Sequence, residues 1–147
     1  MTTFQERVDA ARAGTNPTVV CRVPSGWVVL YDMQYLRGYS LLLADPVVAS
    51  LNDLDRKKRA EYLCDMASIG DALLEVTGAC RINYAIMGNS DPFLHAHIVP
   101  RYPDEPEEFR RGLPWSYDRR VMDATLFDAA RDRTLMQQLA SAIRKRL

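Results

Sequence analysis

The chain has 147 residues, and its 19 Lys and Arg balance its 19 Asp and Glu, so the formal net charge is zero. Hydrophobic residues make up 48% and charged residues 26%, which excludes a disordered, collagen-like or disulfide-scaffold chain. The length suits a single domain over residues 1–147 with a proper core, and the charge balance argues against a nucleic-acid polymer as partner.

In chain order, Phe4–Ala13 reads as a helix stopped by Gly14 and the Asn16-Pro17 pair. Thr18–Val23 and Trp27–Tyr31 read as strands joined by a Pro24-Ser25-Gly26 turn, and Tyr39–Ala44 as a third strand ended by Pro46. Asn52, Asp53 or Asp55 can cap a long helix running to about Val76, with Gly78 at its C-cap. Its apolar stripe reads as Ala60, Leu63, Met66, Ala67, Ile69, Leu73 and Leu74. Arg81–Met87 and Leu94–Val99 read as two more strands, separated by a Gly88-Asn89-Ser90-Asp91-Pro92 loop. After Pro100 the prolines and acidic residues suggest an extended surface segment, and Ala124–Lys145 a last helix. The order predicts an α+β fold with a mainly antiparallel five-stranded sheet, one long helix and a C-terminal helix.

Cys21, Cys64 and Cys80 form no C-x-x-C and read as free thiols of a reducing compartment, Cys64 and Cys80 as small core residues. The start, Met-Thr-Thr-Phe-Gln-Glu-Arg, has no apolar signal core, and no apolar run is long enough to span a bilayer. A cytoplasmic location and no membrane partner are therefore expected.

The only two histidines stand in Leu94-His95-Ala96-His97-Ile98-Val99-Pro100-Arg101. On a strand, His95, His97 and Val99 share one face, with the imidazoles about 6–7 Å apart. Three readings are open. They can be surface or satisfied core histidines. They can be the H-x-H limb of a metal site, which needs further ligands that no spacing here supplies. Or one neutral imidazole can attack phosphorus or a carbonyl while the other donates a proton. The Gly88-Asn89-Ser90 loop could then gather N–H groups for a phosphate.

The stretch from Ile82 to Tyr102 resembles the signature of the histidine triad superfamily, His-φ-His-φ-His-φ-φ, often followed by Pro-Arg. Aligned on Ile98-Val99-Pro100-Arg101, His97 falls on the third histidine, His95 on the central one and Phe93 on the first. The resemblance covers about Val20 to Tyr102, with the segment 103–147 as an extension. It is most similar to bacterial members related to diadenosine tetraphosphate hydrolases. It implies cleavage of a nucleotide conjugate, a dinucleoside polyphosphate or nucleoside phosphoramidate, at the α-phosphorus through a nucleotidyl-histidine intermediate. By position, His95 would be the nucleophile and His97 would contact the α-phosphate. Asn89 and Ser90 would donate to phosphate oxygens, and Asp32 would bind ribose. Val29 and Leu30, with Leu42 or Leu43, would wall the base pocket. No metal or other cofactor is implied, and a homodimer is. Phe93 departs from the pattern, since an apolar ring relays no proton. The second reading is therefore a nucleotide-binding module with little or no turnover.

Trp115 and Tyr117 read as aromatics packing the tail on the core, or as a cover for a pocket. Arg56-Lys57-Lys58-Arg59 reads as a solvated face. Arg101 would reach a phosphate or form a surface salt bridge.

Overall fold

The computed structural model describes residues 3–147; Met1 and Thr2 of the N-terminal reading lie outside them. Helix α1 spans Phe4–Ala13. A capping box, Thr3 with Glu6, starts it, and Gly14 at φ 74° ends it. Strands β1 (Val19–Val23), β2 (Gly26–Leu30) and β3 (Ser40–Ala44) form an antiparallel meander. Helix α2 spans Arg56–Thr77, capped by the Asp55 carboxylate and by Gly78 at φ 75°. Strands β4 (Arg81–Ile86) and β5 (His95–Arg101) complete a five-stranded sheet of order β1-β2-β3-β5-β4. Every pairing is antiparallel. The α+β class, the antiparallel sheet and the long helix are as predicted.

Both faces of the sheet are covered, which explains why every residue of β3 and β5 is buried. On one face, Leu30, Leu42, Ala96 and Ile98 pack under Tyr62, Ile69 and Leu73 of α2 and Leu135, Leu139 and Ile143 of the last helix. On the other, Val29, Leu41, Leu43 and Val99 pack under Val8 of α1 and Tyr117 and Met122 of the segment after β5. Pro100 is tolerated in β5 because pairing with β3 ends at Ile98, so no ladder bond is lost there.

Three expectations are corrected. The buried face of α2 carries Tyr62, Asp65, Ile69, Ala72 and Leu73, while Ala60, Leu63, Ala67 and Leu74 face outward. Tyr62 and Asp65 go inside because each has a partner: the Tyr62 hydroxyl donates to the Leu42 carbonyl, and the Asp65 carboxylate accepts the Ser25 N–H. Cys21 is buried, but Cys64 and Cys80 are exposed. The expected helix Ala124–Lys145 is instead α4 (Arg119–Ala124) and α5 (Arg133–Arg144). Between them the Thr125 carbonyl accepts from Gln34 and the Phe127 N–H donates to Asp32, so this stretch pairs with the loop after β2. The Asp128 carboxylate also takes the Ala130 and Arg131 N–H groups, which competes with helix. The Arg56–Arg59 face is solvated, as expected, with Arg59 partly covered.

The segment after Pro100 is no loose surface chain. It forms α3 (Glu107–Arg110) and a 3-10 turn at Pro114–Ser116, folded back on the sheet. Arg101 is buried rather than at the surface, 6% exposed, and meets Glu105 at 2.9 Å. Its guanidinium also donates to the Asn83 side chain and to the carbonyls of Phe109, Arg110 and Gly112. Burial pushes the Glu105 carboxyl up, but hydrogen bonds from Arg101, Tyr117 and the Tyr102 N–H outweigh it and hold it below its ordinary range. Removing one member of such a pair strands the other. Arg101→Ala should therefore lose roughly 3–5 kcal/mol in urea denaturation, and adding Glu105→Leu should recover part of it.

Candidate functional site

The alternation of β5 puts His95 and His97 on the α1 side of the sheet and Ala96 and Ile98 on the α2 side. The ring centroids are 5.1 Å apart. Both imidazoles open into a cavity of about 750 Å³ whose wall includes Asp32, Asn89 and Ser90. The two histidines and the three residues expected to bind phosphate or ribose thus share one cavity. Gly88, at φ 90°, turns the chain from β4 into the loop that carries Asn89 and Ser90 along its rim.

The expected base-pocket wall is not found. Val29, Leu30, Leu42 and Leu43 are all sealed in the core, Leu30 and Leu42 on the far face of the sheet. The apolar wall is instead Phe4, Tyr31, Met87, Pro92 and Phe93. Phe4 and Arg7 of α1 were not foreseen. The Phe4 ring stacks on His95 with centroids 3.8 Å apart. The Phe4 N–H donates to the Asp91 carboxylate, which fixes the start of α1 at the cavity mouth. Arg7 holds Asp32 through two hydrogen bonds, of 2.9 and 2.5 Å. The sequence marked α1 and its stop at Gly14, but nothing in it says where the helix docks.

The Nδ1 of His95 lies 2.7 Å from the Phe93 carbonyl oxygen. A carbonyl only accepts, so Nδ1 carries the proton and Nε2 keeps its lone pair. Among the described residues Nε2 has no hydrogen-bond partner, and it is not sealed from solvent. Position 93 thus contributes its main chain to the site, whatever its side chain. His97 is enclosed by Tyr31, Tyr39 and Trp115, all meeting its ring edge-on. Trp115 and Tyr117 pack their rings over the sheet, as expected for the tail, and Trp115 also covers His97.

Burial lowers the pKa of His95, opposed by its bond to the Phe93 carbonyl and by Asp91. Burial, and then the neighbouring His95, push His97 down to about 4. Both rings are therefore neutral near pH 7, as a nucleophile and a neutral donor require. Among the described residues no group of three or more His, Cys, Asp or Glu side chains could hold a metal ion. No described helix is long and apolar enough to cross a membrane.

No protein-family model and no curated protein matches the chain. Solved structures do. A histidine triad protein from Bradyrhizobium japonicum superposes with a TM-score of 0.70 at 24% identity, covering 85% of this chain and 89% of that one. One from Marinobacter aquaeolei gives 0.73 at 16% identity, over 86% and 88%. A Zn-bound histidine triad family protein from Mycobacterium smegmatis gives 0.66 at 18% identity, over 98% and 99%. The chain has the histidine triad fold. The last match spans nearly the whole chain, so the segment after Tyr102 is part of the matched structure.

The depressed histidines make stability depend on pH. An unfolded imidazole takes a proton near pH 6.5, whereas folded His97 resists it down to about 4. The unfolded chain thus binds more protons, and stability must fall as pH drops through that window. It is fully present above about pH 6.5, and the His97 share of the loss is on the order of 3 kcal/mol. Urea denaturation at stepped pH should show this slope above the carboxylate range, and His97→Gln should flatten it.

Proposed function

We propose that this protein is a nucleotide-binding member of the histidine triad superfamily. In this reading it cleaves a nucleotide conjugate at the α-phosphorus through a nucleotidyl-His95 intermediate. The observation that carries the reading is the bare Nε2 of His95, oriented by the Phe93 carbonyl and opening with His97 on one cavity. Nε2 attacks phosphorus and forms the N–P bond. The bond to the leaving group breaks, and that group leaves with the electron pair and takes a proton from water in the open cavity. Water then attacks phosphorus and gives up a proton to solvent, the N–P bond breaks, and the nucleoside monophosphate departs from a neutral His95. His97 contacts the α-phosphate, Asn89 and Ser90 serve its other oxygens, and Asp32 takes ribose hydroxyls in place of Arg7. The likeness to solved histidine triad proteins supports the fold on which these roles rest.

Intact-protein mass after brief mixing with diadenosine tetraphosphate or an adenosine phosphoramidate tests the reading. A nucleotidyl adduct or released AMP is expected with the wild type and none with His95→Ala. Phe93→His should raise turnover of an impaired catalyst. Nucleotide binding by calorimetry, with no adduct and no AMP, would instead establish a binding module with little or no turnover.

Two copies are proposed to pair in a homodimer through α2 and the free edge of β4. Leu63, Leu74 and Tyr84 stand 37–43% exposed there, and Tyr84 abuts α2 at Gly70. An apolar face beside an unpaired strand edge suits a second copy. Sedimentation should give a dimer for the wild type and a monomer for Leu74→Glu.

A further inference from the structure

Tyr39 is fully buried, and its hydroxyl lies between two groups of different capacity. The Trp115 Nε1–H donates to it at 3.2 Å. The His97 Nδ1 lies 2.6 Å away on the other side. An indole N–H can only donate, so the Tyr39 oxygen is an acceptor towards Trp115. The hydroxyl proton must then go to another acceptor, and His97 Nδ1 is the one at hand. The opposite arrangement, with Nδ1–H donating to Tyr39, leaves a buried hydroxyl proton with no partner, which is the costly alternative.

We infer that Trp115 and Tyr39 are positioning residues that fix His97 as the Nε2–H tautomer, giving the cavity a hydrogen-bond donor opposite the bare Nε2 of His95. The inference deepens the proposed function and rests on it only for its kinetic consequence. The two rings are chemically alike, yet the chain gives them opposite protonation patterns. The Phe93 carbonyl pulls the His95 proton to Nδ1, and the Tyr39 hydroxyl pushes the His97 proton to Nε2. The geometry therefore pairs one nucleophile with one donor, set before any ligand arrives. A phosphoryl oxygen that has lost its counter-ion meets an N–H at His97, not a second lone pair. Burial pushes the Tyr39 phenol well above its ordinary range, so it keeps the proton it donates.

Trp115 comes from the turn after α3, far along the chain from the histidines. It is held over the site because the Tyr35 hydroxyl donates to the Pro114 carbonyl and Tyr117 donates to Glu105. The segment beyond β5 thus completes the site by orienting a proton.

The test is nitrogen NMR of the full chain labelled at histidine, near neutral pH and without nucleotide. Protonated and bare ring nitrogens resonate far apart, so each tautomer is read directly. His97 in the wild type should show a bare Nδ1 and a protonated Nε2, and His95 the reverse. Tyr39→Phe, which keeps the ring, should move His97 towards a mixture of tautomers. Trp115→Phe, which keeps an aromatic cover but no N–H, should move it part of the way. In nucleotidyl transfer, Tyr39→Phe should lower kcat roughly tenfold with KM changed less than about twofold, the scale of one hydrogen bond made in the transition state. A wild-type His97 protonated at Nδ1 would overturn the inference. So would an Nε2–H signal unchanged in both variants. The expected spectra without any nucleotidyl transfer would uphold the tautomer assignment and overturn the proposed function alone.

Discussion

The structure after β5 depends on one buried guanidinium. Arg101 ends the central strand that carries both histidines, and its donors are all taken by Glu105, Asn83 and three main-chain carbonyls. A buried ion pair survives only when its remaining hydrogen-bonding capacity is met, and here the following segment meets it. The carbonyls of Phe109, Arg110 and Gly112 are drawn to one point, which forces that segment to curl over the sheet. Tyr117 follows, since its hydroxyl donates to the same carboxylate. The turn at Pro114–Ser116 then lies where Trp115 reaches Tyr39. A stretch rich in proline and acid has little reason of its own to fold back. A charged contact made within four residues of β5 gives it one.

The second constraint is the double covering of the sheet. A central strand buried on both faces normally reads as continuous hydrophobe. β5 departs from this only at His95, His97 and Arg101, and each imidazole has one nitrogen bonded inside the protein and one left open. The aromatic rings of Phe4, Tyr31, Tyr39 and Trp115 do the covering. They exclude water from the ring faces and edges, which disfavours the charged form. Stacking by Phe4 leaves the ring plane of His95 open, and the Nε2 lone pair lies in that plane. The rings therefore desolvate the histidine without blocking its reactive direction.

How much of this could be read from the sequence divides along a physical line. Local chemistry was legible: the stop of α1 at Gly14, the caps of α2, the strands, the alternation that put His95 and His97 together, and the loop at Asn89 and Ser90. What failed turned on partners that only the folded chain brings together. Tyr62 and Asp65 look like outer residues of α2 until the Leu42 carbonyl and Ser25 N–H meet them. Arg101 looks like a surface cation until five acceptors surround it. Thr125–Asp132 has helical composition, but the loop after β2 competes for its backbone. Tyr39 shows the same limit. Alternation places it on the face of Leu41 and Leu43, but only the β3–β5 register, with Leu41 opposite His97, sets it against that ring.

Phe93 shows why a missing side chain need not remove an orienting contact. Its carbonyl, 2.7 Å from His95 Nδ1, belongs to the main chain, and any residue at that position supplies it. Orientation of the His95 ring is therefore independent of the identity of residue 93. The phenyl ring lines the cavity beside Met87 and Pro92, where an imidazole would have added one more proton carrier. In the proposed reaction, the leaving group then takes its proton from water, because neutral His97 and the Tyr39 phenol keep theirs. His97 supplies a hydrogen bond instead, and because it draws its proton pattern from Tyr39 and Trp115, that donor is set by the segment pinned by Arg101 rather than by the strand that carries the histidines. The departure at position 93 and the aromatic pair over His97 are thus two parts of one arrangement. The first removes a titrating side chain from the site, and the second fixes the donor that remains.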